Sequence, residues 1–405
     1  MLESVLDNGV RVVTERVRGV RSTAIGVWVR QGSAHEPPEL GGVSHLLEHL
    51  VFKGTDGRSA HEIALSLESL GGSLDAYTTR EYTSYQALIL DDHLEIALDV
   101  LADLVLHPRL ETDDLELERD VVLEEIAGVE DTPDDLVFEL HGLRFWKGHV
   151  YGRPILGTRD TVSSLGIDDL RRIHEECYRG CNILVGCAGD IEHHHVVDLV
   201  EGLFGEAPAG ILSPEVEYPD GNMVGLDSVQ RTTSQTHLVL AGATPAYADP
   251  IRVVLGLISV AFGGGMSSRL FQRVREELAL AYVIFSFQTF YSRAGSAGVY
   301  VATRPETADR TLETIFSEYR HLYESGLSQR ELDQAKGQAS GQLVLSMEST
   351  GARLLRTMGF ALRDEPYRSL DDSLGRIEMV TMDQVKKVCT TYFNPDDQYV
   401  LSLGP

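Results

Sequence analysis

Two histidines and a glutamate lie close together in an apolar stretch near the N-terminus, as His45, Glu48 and His49. On an α-helix, residues four apart share a face, and at about 100° per residue His45 and His49 point within roughly 40° of each other. Glu48 falls within roughly 60° of His45 on the same wheel. Two imidazoles at this spacing suit Zn²⁺, and a nearby carboxylate suits a general base that acts on water. The alternative is a core helix in which two partly buried histidines have ordinary partners.

A second helix, predicted over residues 113–130, carries candidate carboxylates. When Glu118 is placed at zero on a wheel of about 100° per residue, Glu125 falls within the apolar stripe, whereas Glu124 points away. The apolar residues within roughly 80° of Glu118 on this wheel are Leu115, Val121, Val122, Ile126 and Val129. Carboxylates on a core face are unfavourable unless they meet a cation or hydrogen-bond donors. We therefore predict that Glu125 is a third zinc ligand and that Glu118 orients a ligand or the site water; the alternative partner for both is an arginine or lysine.

The order His-x-x-Glu-His reverses the His-Glu-x-x-His of many zinc peptidases. Together with the second helix, it resembles the pitrilysin/insulinase family of inverted zinc peptidases, and most of all the short branch that contains the β subunit of mitochondrial processing peptidase and its bacterial relatives. In that family the third ligand follows the second histidine at about the separation seen here, 125 − 49 = 76 residues. The family's Glu-Arg-x-Val-x-Leu-Glu-Glu-Ile run matches residues 118–126 and also selects Glu125.

The resemblance implies a zinc metalloendopeptidase that cleaves oligopeptides or unfolded segments. Zn²⁺ would be held by His45, His49 and Glu125, with a position left for water. Glu48 would remove a proton from that water and later protonate the leaving amine, and Glu118 would assist the site. The competing hypothesis is a non-catalytic scaffold or partner subunit, because the family includes subunits that have lost the motif.

Residues 71–85 are rich in β-branched and alternating side chains, which predicts a strand. The resemblance identifies this stretch with the family's edge strand, to which an extended substrate adds itself by backbone pairing. It implies that Asp75 and Ala76 lie beside the substrate. The alternative is an ordinary strand inside the sheet.

In the second half of the chain, the resemblance identifies Arg275 and Tyr282 with a family pair that reaches the active site of the first domain. The arginine would bind the substrate backbone, and the tyrosine would stabilise the oxyanion. The alternatives are a surface salt bridge for Arg275 and an aromatic at the core edge for Tyr282. Between them, a family basic pair and glycine are replaced by Glu277, Leu278 and Ala279, a departure that concerns substrate preference.

The composition is that of a globular protein with two or three domains, since 405 residues contain 43% hydrophobic and 24% charged side chains. A net charge of −27 argues against nucleic acid and anionic membranes as partners, and it reflects either solubility or an acidic chamber for basic peptides. No apolar run approaches membrane-spanning length. Without a visible signal peptide, and with four cysteines that form no secreted disulfide framework, we expect a cytoplasmic protein with reduced thiols.

The second half of the sequence repeats the first approximately, without the histidine motif. We predict an α+β fold of two homologous domains, each an antiparallel-rich mixed sheet covered by helices. The predicted boundaries are 1–210 for the zinc-binding domain, 211–232 for a linker rich in proline and glycine, and 233–405 for a metal-free domain. Relatives of this length close two chains into a chamber, so the resemblance implies half of a clamshell and a homodimer, with a heterodimer as the alternative.

Overall fold

Two mixed β-sheets with helices packed against them organise the chain, and the computed structural model describes all of residues 1–405. The strands are β1 (Leu2–Val5), β2 (Arg11–Arg16), β3 (Ser22–Val29), β4 (Ser73–Thr78), β5 (Thr83–Leu90), β6 (Ile183–Gly189), β7 (Gly225–Gln230), β8 (Thr236–Thr244), β9 (Ala281–Phe290), β10 (Gly295–Thr303) and β11 (Tyr399–Gly404). The predicted α+β class is confirmed.

The helices lie between these strands in both halves of the sequence. They are α1 (Val43–Val51), α2 (Ala60–Glu68), α3 (Leu94–Leu106), α4 (Thr112–Asp131), α5 (Pro133–Phe145), α6 (Arg159–Ser164), α7 (Ile167–Cys177), α8 (His193–Phe204), α9 (Arg252–Gly263), a π-helical segment (Phe271–Glu277), α10 (Ala308–Ser325), α11 (Gln329–Ser346), α12 (Thr350–Ala361), α13 (Leu370–Glu378) and α14 (Met382–Tyr392). None of them combines the length and the apolar character that a membrane-spanning helix needs.

The two sheets repeat one topology. The first has the strand order β1-β2-β6-β3-β5-β4, and the second has the order β7-β11-β8-β10-β9. In each sheet one pair is parallel, β2 with β6 and β7 with β11, and all other neighbours are antiparallel. The repeat predicted from the sequence is therefore confirmed at the level of strand order, with β1 as an addition to the first sheet.

Part of the predicted linker is a strand. Residues Gly225–Gln230 form β7, which pairs in parallel with β11 at the edge of the second sheet. Its side chains are mostly exposed, so the segment lacks the alternation of apolar residues from which a half-buried strand is predicted. Six residues of the 211–232 stretch are therefore a sheet strand, while the assignment of that stretch as a linker between domains stays a prediction.

The chain forms two compact units that are not consecutive in sequence. The first comprises Met1–Ala127, Arg153–Glu215 and Ser346–Tyr367, and the second comprises Gly128–Gly152, Val216–Leu345 and Arg368–Pro405. The domain boundaries inferred from the sequence divide the chain into consecutive stretches, and they stay a prediction.

Each sheet has one face covered by a helix from the other half of the sequence. On the first sheet, α12 packs Leu354 and Met358 against a cluster that includes Trp28. On the second sheet, α5 stacks Phe138 on Tyr300, with ring centroids 5.4 Å apart. The two helices occupy corresponding places in the two halves of the sequence. Each is the third helix after an antiparallel strand pair, which is β4–β5 for α5 and β9–β10 for α12.

Candidate metal centre

The start of α1 is held by a buried carboxylate and a close backbone contact. Glu36 accepts hydrogen bonds of 2.8 Å from the amides of Gly42 and Ser44, which have no partner inside the helix. Burial raises the pKa of Glu36, while the two amide hydrogen bonds act in the opposite direction. Gly42 and Gly157 both have positive φ, and their backbones touch. These contacts set where the helix that carries the two histidines begins.

We expect Gly157→Ala to lower the free energy of unfolding by about 3 kcal/mol, through left-handed strain and a forced backbone displacement. A Cβ at this residue, whose φ is +77°, would lie 2.3 Å from the carbonyl oxygen of Gly41. The matched control is Gly71→Ala, because Gly71 has a φ of +75° and no atom lies within 4 Å of the position that its Cβ would take. We expect that control to lose only about 1 kcal/mol. Denaturant titration of both variants measures the difference, and equal losses would show that the contact with Gly41 is not tight.

Helix α1 turns both imidazoles to one side, as predicted, with ring centroids 4.7 Å apart. Burial, assisted by the neighbouring His49, lowers the pKa of His45 to about 4. His45 is therefore neutral at pH 7, as a metal ligand must be. Its Nδ1 atom is buried without a hydrogen-bond partner, and its Nε2 atom is the one that faces Glu125.

Glu125 on α4 meets the two histidines. Its Oε2 atom lies 3.6 Å from His45 Nε2 and 3.8 Å from His49 Nε2, and the three candidate ligand atoms all lie within 4.8 Å of one another. In a tetrahedral zinc site with bonds of about 2.1 Å, ligand atoms are about 3.4 Å apart. The spacing and the donor set of two imidazoles and one carboxylate therefore fit a zinc ion.

Glu118 contacts both a candidate zinc ligand and a lysine, which are the two kinds of partner expected from the sequence. Its Oε2 atom lies 2.9 Å from His49 Nδ1, and its Oε1 atom lies 2.5 Å from Lys53 Nζ. A carboxylate only accepts, so Nδ1–H of His49 donates and the lone pair stays on Nε2, towards Glu125. Glu118 thus orients a candidate ligand while Lys53 balances its charge. No local pattern in the sequence indicated Lys53.

The buried face of α4 differs from the predicted stripe. It consists of Leu115, Glu118, Val122 and Ile126. Val121 is 49% exposed, and the side chain of Glu125 is 44% exposed. Of the two carboxylates, it is Glu118 that loses its contact with water, since it is 5% exposed. Glu125 lies at the border of the stripe, where a flexible side chain reaches the histidines and still contacts water.

Glu48 is buried on the same helix, one residue before His49. It accepts a hydrogen bond of 2.6 Å from Thr78 Oγ1. Burial raises the pKa of Glu48, and the hydrogen bond from Thr78 and the nearby His49 act in the opposite direction. A carboxylate with a raised pKa is a stronger base, which suits proton transfer near neutral pH. The contact with Thr78 was not predicted, although the alternation of the strand places Thr78 on the same face as Ala76.

Strand β4 lies at the edge of the first sheet and pairs only with β5. Leu74 and Ala76 pack against the core, whereas Asp75, on the opposite face of the strand, is exposed. The outer backbone groups of an edge strand have no partner within the sheet. The position at the edge agrees with the family strand, and the roles of Asp75 and Ala76 beside a substrate stay a prediction.

Arg275 and Tyr282 lie together in the second unit. Arg275 Nη1 donates to the carbonyl oxygen of Tyr282 at 3.1 Å, and its guanidinium carbon is 4.3 Å from the centre of the tyrosine ring. Tyr282 is 72% exposed. Ala279, which replaces the family glycine, has a φ of +48°, a conformation that favours glycine. The action of the Arg275–Tyr282 pair on a substrate stays a prediction.

Two family models and several named relatives match this chain. Residues 11–159 match the family model of insulinase (peptidase family M16), and residues 164–339 match the model of the peptidase M16 inactive domain. An uncharacterised zinc protease of Streptomyces coelicolor is 38% identical over 392 residues, which cover 95% of this chain and 85% of that protein. The chain belongs to the insulinase family. The family prediction is confirmed, and the narrower relation to the mitochondrial processing peptidase branch stays a prediction.

Further similar proteins match nearly the whole chain. An uncharacterised zinc protease of Bacillus subtilis is 37% identical and covers 98% of this chain and 96% of its own. Two crystal structures share the fold at low identity. The peptidase M16 inactive domain from Pseudomonas fluorescens has a TM-score of 0.94 at 22% identity, with 100% of this chain and 97% of that chain covered. A protease from Helicobacter pylori has a TM-score of 0.93 at 21% identity, with coverages of 100% and 99%.

Proposed function

We propose that this insulinase-family protein is a zinc-dependent metalloendopeptidase that cleaves oligopeptides or unfolded segments. The observation that supports this most strongly is the meeting of His45, His49 and Glu125, whose candidate ligand atoms all lie within 4.8 Å of one another. The buried carboxylate of Glu48 lies on the same helix as the two histidines. A pure scaffold would have no need of a neutral buried histidine and a desolvated base side by side.

Each residue of the site has a separate role in the proposed reaction. Zinc, held by His45, His49 and Glu125, would supply Lewis acidity towards the scissile carbonyl and towards water. Glu48 takes the proton of the attacking water on its carboxylate and passes it to the nitrogen of the leaving amine. Glu118 keeps the proton of His49 on Nδ1, so that the lone pair of Nε2 stays available to a metal ion.

The substrate would add to the free edge of β4 as an extended strand, with Asp75 and Ala76 beside it. This mode of binding favours flexible peptides, because most backbone groups of a folded protein are already hydrogen-bonded. From the family resemblance, we assign Arg275 to the substrate backbone and Tyr282 to the oxyanion. The same resemblance supports a homodimer, with a heterodimer as the alternative.

The test is cleavage of a quenched fluorescent peptide by the purified, zinc-loaded chain. We expect turnover that falls by about 100-fold or more with a zinc chelator and returns when zinc is added back. Mass spectrometry of the products should show internal cleavage. Inactivity of the zinc-loaded protein, alone and mixed with candidate partner chains, would contradict the proposal and support the scaffold.

A further inference from the structure

One side chain connects the edge strand of the first sheet to the candidate base. Thr78 is the last residue of β4, and its Oγ1 atom donates a hydrogen bond of 2.6 Å to Glu48 Oε2. Glu48 has three rotatable side-chain bonds, and a carboxylate on so long a side chain has many positions available unless a partner selects one. In this structure, Thr78 is the side-chain partner that hydrogen-bonds to Glu48.

The neighbouring hydroxyl shows which way the proton of Thr78 points. Thr83, directly opposite Thr78 in the ladder, donates to the carbonyl oxygen of Gln31 at 2.9 Å. Its oxygen is 3.3 Å from that of Thr78. Because each hydroxyl has a single proton, Thr83 donates its own to Gln31, and Thr78 has its own for Glu48. The direction of the bond to Glu48 does not itself depend on Thr83, because a carboxylate only accepts.

The backbone of Thr78 is as well fixed as its side chain. The register of β4 against β5 runs without a shift from Ser73 to Thr78. Just beyond, Thr79 accepts amide hydrogen bonds from Glu81 and Tyr82 through its side chain, which closes a tight turn. A hydroxyl on so rigid a support holds the carboxylate in one place at little further entropic cost.

We propose that Thr78 is a positioning residue that holds Glu48 in its reactive orientation and aligns it with the strand to which the substrate adds. The effect on turnover rests on the proposed function. A peptide paired with β4 takes its register from that strand. Thr78 fixes the position of the Glu48 carboxylate relative to the same strand. One strand then aligns both the base and the scissile bond. Such preorganisation lowers the entropic cost of reaching the reactive geometry.

The test compares three variants of the full-length, zinc-loaded protein. Thr78→Val keeps the shape, the β-branch and the backbone amide of Thr78, which also acts on Glu48, and removes only the hydroxyl donor. We expect kcat to fall by about 10- to 100-fold with KM and zinc content within about threefold of the unchanged protein. Thr78→Ser restores the hydroxyl, and we expect kcat to return to within about threefold. Thr83→Val removes a hydroxyl from the same rung without touching Glu48, and we expect it to keep kcat within about threefold.

Crystal structures of the zinc-free Thr78 variants provide a readout that does not depend on activity. We expect the Glu48 carboxylate to leave its position in Thr78→Val and to keep it in Thr78→Ser. An unchanged Glu48 in Thr78→Val, or a loss of kcat in Thr83→Val as large as in Thr78→Val, would overturn the inference. If the unchanged protein cleaves no peptide, the proposed function fails, while the position of Glu48 in these structures still decides the role of Thr78.

Discussion

Glu48→Gln is expected to lower kcat by about 1,000-fold or more, because the amide cannot take the proton of the attacking water. That loss corresponds to about 4 kcal/mol of transition-state stabilisation. Glutamine has nearly the same shape, and its amide oxygen can still accept the hydrogen bond from Thr78. The side chain is not among the three candidate ligands, so the variant should bind one zinc ion with its affinity unchanged.

Steady-state cleavage of the fluorescent peptide, measured together with zinc content, tests this expectation. The control is Glu124→Gln, the same substitution at an exposed carboxylate, which should cleave at the normal rate. If zinc-loaded Glu48→Gln kept more than about a tenth of the normal kcat, Glu48 would not be the base. The same variant also shows whether a contaminating peptidase accounts for the cleavage, since such activity would be unaffected by the substitution.

Glu125→Gln is expected to weaken zinc binding by about 100-fold or more, because a neutral amide replaces the charged oxygen of the third ligand. Glu124, the adjacent carboxylate, points to solvent, and Glu124→Gln should bind zinc as the unchanged protein does. Two imidazoles alone remain in Glu125→Gln, and they hold the metal less tightly than three ligands do.

Competition with a chromophoric chelator measures both affinities. Thermal unfolding with and without zinc provides a second measurement, because an ion that binds only the folded state raises the unfolding temperature, and that increase should shrink in Glu125→Gln alone. If Glu124→Gln lost the metal and Glu125→Gln kept it, the assignment of the ligands from the geometry of α4 would be wrong.

The buried face of α4 shows which features helical periodicity predicts and which it does not. The wheel placed Glu118 on the buried face, and the structure confirms that placement. It also placed Val121 in the apolar stripe, yet this residue is half exposed. Periodicity of about 3.6 residues determines which side chains share a side of a helix. The centre of the buried stripe depends on which elements pack against the helix, and those elements are distant in sequence.

The exchange of α5 and α12 between the sheets has the same cause. Both helices bury several residues against a sheet, and a sequence pattern predicts at most that a helix has a buried face. Which sheet receives that face depends on the path of the chain in three dimensions. The consecutive domain boundaries inferred from the sequence therefore contain no sign that residues Ser346–Tyr367 belong to the first unit.

The sequence by itself determined the direction of the two imidazoles, the face of Glu118, the approximate repeat of the two halves and the family, because each depends on spacing along one element or on the succession of elements. The sequence also predicted Glu125 as the third ligand, but only the tertiary structure gave its distances from both histidines. Only the tertiary structure decided that Lys53 balances Glu118 and that Thr78 hydrogen-bonds to Glu48. These contacts join residues on different elements, and their distances follow from packing, which no local pattern of side chains records.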